Sequence, residues 1–94
     1  MYVVFVEYMI FYHRKQEYLE YMAIMKQNNP TLELLESADQ AGLFVEIWRE
    51  MSEEDFLTMQ KERLEENHSP CTELLQMIDH SKNRIRIWRF TNHL

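Results

Sequence analysis

One cysteine, one glycine and two prolines are all that this chain of 94 residues holds of the usual structural staples and hinges. The lone Cys71 excludes an intrachain disulfide and fits a reducing compartment. Basic residues are also scarce: ten against sixteen acidic ones give a formal charge of −6. Such a field repels phosphate backbones, so nucleic acid is not an expected partner. The local exception, Arg84, Arg86 and Arg89, falls on an alternating strand pattern rather than a basic arm. Long hydrophobic runs are missing too. The apolar opening from Tyr2 to Tyr12 is interrupted by Glu7 and is shorter than the ~20 residues of a membrane span, with no basic region before it. It reads as a strand, and the expectation is a cytoplasmic protein with no membrane partner. There are no repeats, linkers or low-complexity stretches, and no complete catalytic, metal or nucleotide motif.

What is present is a core. Apolar residues make up 46% of the chain, enough for one globular domain over residues 1–94. A domain of this size buries only about 60–70% of its unfolded surface, so association with a second copy would help it. Residues 2–12 are rich in Val, Phe, Tyr and Ile and predict a strand. A helix is predicted from His13 to Asn28, with Tyr18, Met22 and Met25 as its central stripe and Leu19 and Tyr21 beside it. Asn29 precedes Pro30 and must end it. Residues 31–37 predict a short strand, Asp39 to Gly42 a hairpin turn, and Leu43 to Glu50 a third strand.

Ser52 then caps a second helix, with Glu53, Glu54 and Asp55 complementing its dipole. It is expected to run to about Asn67 with Phe56, Met59 and Leu64 inward. Ser69 and Pro70 start a short third helix that buries Leu74, Leu75 and Ile78. Residues 84–91 alternate as the last strand. The order βαββαβ predicts an α+β, ferredoxin-like antiparallel sheet of order 4-1-3-2, with the helices on one face.

Alternation sorts the strand residues into two faces. Val4, Val6 and Tyr8, Leu43, Val45 and Ile47, and Ile85 and Ile87 form a nearly aliphatic set, expected under the helices. Phe5, Glu7, Met9 and Phe11, Phe44, Glu46 and Trp48, and Arg86, Trp88 and Phe90 form the other, aromatic set. Each large aromatic can bury ~150–250 Å², and their sum exceeds the ~300–600 Å² of the largest apolar patch on a typical monomer. Phe5, Glu7, Phe44, Glu46, Trp48, Arg86, Trp88 and Phe90 are therefore the predicted dimer interface, with Glu7 flanked by Arg86 and Glu46.

The stretch Phe44-Val45-Glu46-Ile47-Trp48-Arg49, then Ser52-Glu53-Glu54-Asp55-Phe56, then His68-Ser69-Pro70, resembles the dimeric α+β barrel superfamily and, within it, the antibiotic biosynthesis monooxygenase-like family. The resemblance implies two sheets facing each other across a homodimer. It also implies one of several activities: oxygenation of polycyclic aromatic substrates without metal or flavin, haem degradation, or none assigned. Haem degradation in that family uses a strand-1 asparagine, a helix-2 tryptophan and a histidine near the helix end. Only His68 has a counterpart here, so bound haem is not expected.

His68 could serve as a general base, or be an exposed histidine favoured by a helix C-terminus. Arg63, with Gln60, falls on the inward side of the second helix and either lines a pocket or lays its stem over the core. Tyr8, Tyr18 and Tyr21 could orient an aromatic ligand or simply fill the core. Cys71 is expected to be non-catalytic, and His13, His80 and His93 lack ligand spacing. Tyr8, Arg63 and His68 are the candidate catalytic residues. The leading expectation is a homodimer that binds an apolar or aromatic small molecule, with cofactor-independent oxygenation if it is an enzyme and no metal or cofactor. The alternative is a non-catalytic dimer of the same fold that binds a ligand or a protein.

Overall fold

The computed structural model describes residues 1–64 and 70–94. Strand β1 (Tyr2–Met9) leads through a 3-10 turn at Tyr12–Arg14 into helix α1 (Lys15–Asn28). Strands β2 (Glu33–Glu36) and β3 (Leu43–Met51) form a hairpin, followed by helices α2 (Glu53–Leu64) and α3 (Thr72–Met77) and strand β4 (Arg86–Thr91). All three strand pairings are antiparallel, in the order β2-β3-β1-β4, which read from the opposite edge is 4-1-3-2. The architecture is α+β and ferredoxin-like in its general kind.

Several boundaries fall inside the expected ones. The first strand stops at Met9 because the chain turns to pair with the end of α3. There Phe11 N–H donates to the Met77 carbonyl (3.1 Å) and Asp79 N–H to that of Met9 (2.8 Å). At the start of α2, Ser52 Oγ accepts the Asp55 N–H at 3.1 Å, an N-cap as its residue type suggests. Helix α3 starts later than Ser69-Pro70 would place it, with Cys71 as an N-cap whose side chain makes no capping hydrogen bond. Ser69 itself lies outside the described residues.

One core holds the layers together. Val4, Val6 and Tyr8 of β1 pack with Tyr18 and Met22 of α1, Phe56 and Met59 of α2, and Leu74, Leu75 and Met77 of α3. Leu64, expected inward, is instead 54% exposed, and Arg63 takes the buried position beside it. The hairpin depends on Gly42. Its φ is +89°, and a Cβ there would lie 3.1 Å from the Ile10 carbonyl oxygen and 3.2 Å from Met9 Sδ.

The face of β3 differs from its expected one. Val4 lies opposite Trp48, Val6 opposite Glu46 and Tyr8 opposite Phe44, and residues directly opposite in a ladder share a face. Phe44, Glu46 and Trp48 therefore point toward the helices, and Leu43, Val45 and Ile47 toward the outer face with Phe5 and Glu7. Both alternating sets of β3 are largely apolar, so alternation does not choose between them. A pairing offset of one residue exchanges the faces. The strand also carries an irregularity near its end, where Tyr2 pairs with Met51 rather than with Glu50. Glu50 takes a φ of 56°, and the extra residue returns Met51 to the buried side.

Candidate functional site

Glu46 is fully buried in mid-strand, and Arg63 on α2 is 3% exposed. A charge in that position needs partners, since an isolated buried carboxylate costs several kcal/mol. Arg63 lies on the inward row of α2 with Phe56 and Met59, and its guanidinium reaches across the core to meet the carboxylate. Its Nη1 donates to Glu46 Oε2 at 2.5 Å and its Nη2 to Oε1 at 2.8 Å. Two more donors complete the set: Trp48 Nε1–H to Oε1 at 2.8 Å, and the Tyr8 hydroxyl to Oε2. Because Tyr8 spends its proton on Glu46, the Tyr18 hydroxyl is the donor in the 2.7 Å contact between the two tyrosines. A carboxylate offers about four acceptor positions, and here the protein's own side chains fill them.

Electrostatics follow from this enclosure. Burial, then the negative charge of Glu46, pushes the Tyr8 hydroxyl well above the ordinary tyrosine range. Burial does the same to Tyr18. Desolvation works against the charge on Arg63, but the adjacent Glu46 and Tyr8 outweigh it and hold the guanidinium above its usual value. At neutral pH both phenols are thus neutral and the guanidinium is charged. Tyr8 is a hydrogen-bond donor there and not a base.

Of the predicted catalytic residues, Tyr8 and Arg63 meet on one carboxylate, while His68 lies outside the described residues. Glu46, Phe44 and Trp48, expected at the dimer interface, are displaced from it by the register of β3. Glu46 and Trp48 join the network, and Phe44 packs on Tyr18 with ring centroids 4.7 Å apart. Glu46 consequently does not flank Glu7, whose neighbours are Val45 and Arg86. The sequence carries only part of a signal for the network: a glutamate inside an otherwise apolar strand and an arginine at an inward helical position.

The outer sheet face keeps Phe5, Glu7, Arg86, Trp88 and Phe90, joined by Leu35, Val45 and Ile47. Phe5 and Phe90 meet edge-to-face with centroids 5.3 Å apart. Trp88 is 41%, Phe90 51% and Leu35 54% exposed. Among the described residues, no three His, Cys, Asp or Glu side chains group as a metal site, and no helix is long and apolar enough to cross a membrane. No family model, curated protein or solved structure matches the chain.

Proposed function

We propose that this protein acts as a homodimeric, non-catalytic binding module, two sheets packed face to face in an α+β barrel. What supports the non-catalytic reading is the saturation of Glu46. Its acceptor positions are taken by Tyr8, Trp48 and Arg63, and Tyr8 and Glu46 expose no surface. Of the candidate catalytic residues, Tyr8 and Arg63 are consumed in holding the core. The second copy is the occupant that suits the outer face. This face presents large apolar side chains together with charges of both signs, Glu7 next to Arg86 and Arg49 paired to Glu33 at 3.1 Å. A twofold axis can set such a face against itself with unlike charges apposed.

Cofactor-independent oxygenation of an aromatic small molecule is the second reading, favoured by the meeting of Tyr8 and Arg63 on one carboxylate. Sedimentation across a concentration series, paired with oxygen uptake in the presence of polycyclic phenols, tests both. The expected result is a dimer at micromolar concentration and no oxygen uptake above the protein-free rate. A protein that stays monomeric at high concentration would refute the barrel. Uptake that is abolished by Arg63→Met in a folded variant would establish the oxygenase instead.

A further inference from the structure

Strand β2 is an edge of the sheet, paired with β3 on one side only. We infer that its open side is a docking edge for the same strand of a second copy, joining two four-stranded sheets into one continuous sheet. Ser37 N–H donates to the Leu43 carbonyl at 2.8 Å. By the alternation of an antiparallel ladder, Glu33 and Leu35 therefore also turn their main-chain groups toward β3. Leu34 and Glu36 turn theirs outward, and among the described residues these groups meet no partner.

The charges that usually blunt an edge are drawn away from this one. Lys26 spends its ammonium on the Pro30 and Leu32 carbonyls, at 2.6 Å each. Glu33 pairs with Arg49 at 3.1 Å, and the Glu36 carboxylate is held back by Lys15 and the Gly42 N–H, both at 2.9 Å. What faces solvent is apolar. Leu35, 54% exposed, lies on the outer side, and a groove of about 470 Å³ bounded by Leu19, Ala23 and Leu34 lies on the helix side. Tyr21 and Ile24, on the opposite side of α1, share a cavity with Glu73, so α3 lies across that helix from the edge.

The ladder selects one register. Two antiparallel edges bond only where both present outward groups, which within β2 leaves twofold axes at Leu34, Leu35 or Glu36. An axis at Leu34 gives a single bonded pair, because the next one needs Leu32, whose N–H already donates to the Asn29 carbonyl at 2.9 Å. An axis at Glu36 sets like charges directly opposite each other. With the axis at Leu35, Leu34 exchanges both its bonds with the partner's Glu36, and Glu36 does so with the partner's Leu34. Leu35 then faces its own copy as a non-hydrogen-bonded pair, the closer kind. Glu36 lies opposite a leucine and Glu33 opposite Ser37, so no two acids are apposed. The contact is small, too small to hold free protomers together at micromolar concentration, and it does not rest on the sheet-face dimer.

Opposed residues of such a pair have Cα atoms about 4.5 Å apart, within reach of a disulfide. In the full chain under a glutathione redox buffer, Leu35→Cys is expected to form a covalent dimer about tenfold or more faster than Leu57→Cys, a site of matching exposure on α2. The wild type under the same conditions reports the background from the buried Cys71. Trp88→Glu, a change on the outer face, is expected to leave the Leu35→Cys rate as it is. Glu36→Pro removes an outward donor while sparing the β2–β3 ladder, and is expected to bring the rate down to that of Leu57→Cys in a chain with wild-type circular dichroism. In the wild type, amide hydrogen exchange at Leu34 and Glu36 is expected to slow as protein concentration rises into the millimolar range, whether or not Glu36→Pro folds. A Leu35→Cys rate no higher than that of Leu57→Cys, lost with Trp88→Glu, or retained in folded Glu36→Pro would overturn the docking edge, as would exchange at the two amides that ignores concentration. Monomeric sedimentation at micromolar concentration with the Leu35→Cys cross-link intact would support the edge and refute the sheet-face reading alone.

Discussion

Glu46, without exposed surface, accepts hydrogen bonds from Trp48 on its own strand, Tyr8 on β1 and Arg63 on α2. Neutralising it leaves the guanidinium buried without its counter-charge, the situation in which buried pairs cost most. Glu46→Gln is therefore expected to lower the unfolding free energy by about 3–5 kcal/mol. The double replacement Glu46→Leu with Arg63→Leu should lose less than either single change. Urea denaturation at neutral pH measures both, and a Glu46→Gln loss below about 1 kcal/mol would show that the pair does not bear on stability. The tyrosines add a pH dependence. Tyr8 and Tyr18 have folded pKa values raised above the unfolded value of about 10, so above that pH the unfolded chain releases protons that the folded chain keeps. Stability is complete below pH about 10 and falls as pH rises beyond it, by about 1.4 kcal/mol per pH unit for each such tyrosine. Tyr8→Phe should flatten that slope by about one tyrosine's share, as read from urea midpoints between neutral and strongly alkaline pH.

At the scale of the element, two residues with positive φ have opposite standing. Gly42 closes the β2–β3 hairpin with backbone pressed against Ile10 and Met9. Gly42→Ala forces a Cβ into that contact as well as into an unfavourable φ, and is expected to cost at least about 1 kcal/mol. Glu50 adopts its positive φ without being a glycine, a conformation that costs L-residues about 1–2 kcal/mol. Glu50→Gly should relieve part of that and stabilise the protein, up to about 1 kcal/mol after the entropy lost by the freer unfolded chain. Thermal denaturation of the two variants side by side should give shifts of opposite sign. Equal signs would contradict the irregularity at the end of β3.

For the whole molecule, the two sides of the sheet carry separate duties. The helix side is closed by the core and its ion pair; the other side leaves Trp88 and Phe90 about half exposed. If that face seats a second copy, Trp88→Glu places a charge at a desolvated contact. The expected outcome is a monomer by sedimentation that keeps the circular dichroism of the wild type, because the core and the Glu46–Arg63 pair lie on the helix side. Arg86→Ala removes the cross-strand partner of Glu7 and should weaken association more than Arg84→Ala, which sits outside β4. Equal sedimentation of wild type, Trp88→Glu and Arg86→Ala would place any association on another surface.

Element order, the antiparallel sheet, the Ser52 cap, the end of α1 before Pro30 and the inward row of α2 through Arg63 all follow from local patterns, and the sequence by itself determined them. Each depends on residues within a turn or two of one another, where propensity, capping and periodicity act directly. The tertiary structure alone decided which side of β3 faces the helices. Its two alternating sets, Leu43-Val45-Ile47 and Phe44-Glu46-Trp48, are both greasy enough to be buried, and a lone glutamate in a strand ordinarily argues for the solvent side. That preference was reversed by a group seventeen residues away, the guanidinium of Arg63, which reaches Glu46 only once α2 has packed across the sheet. Burial of a charge is set by its partner in space, and pairing across such a separation leaves no mark in the alternation of either segment.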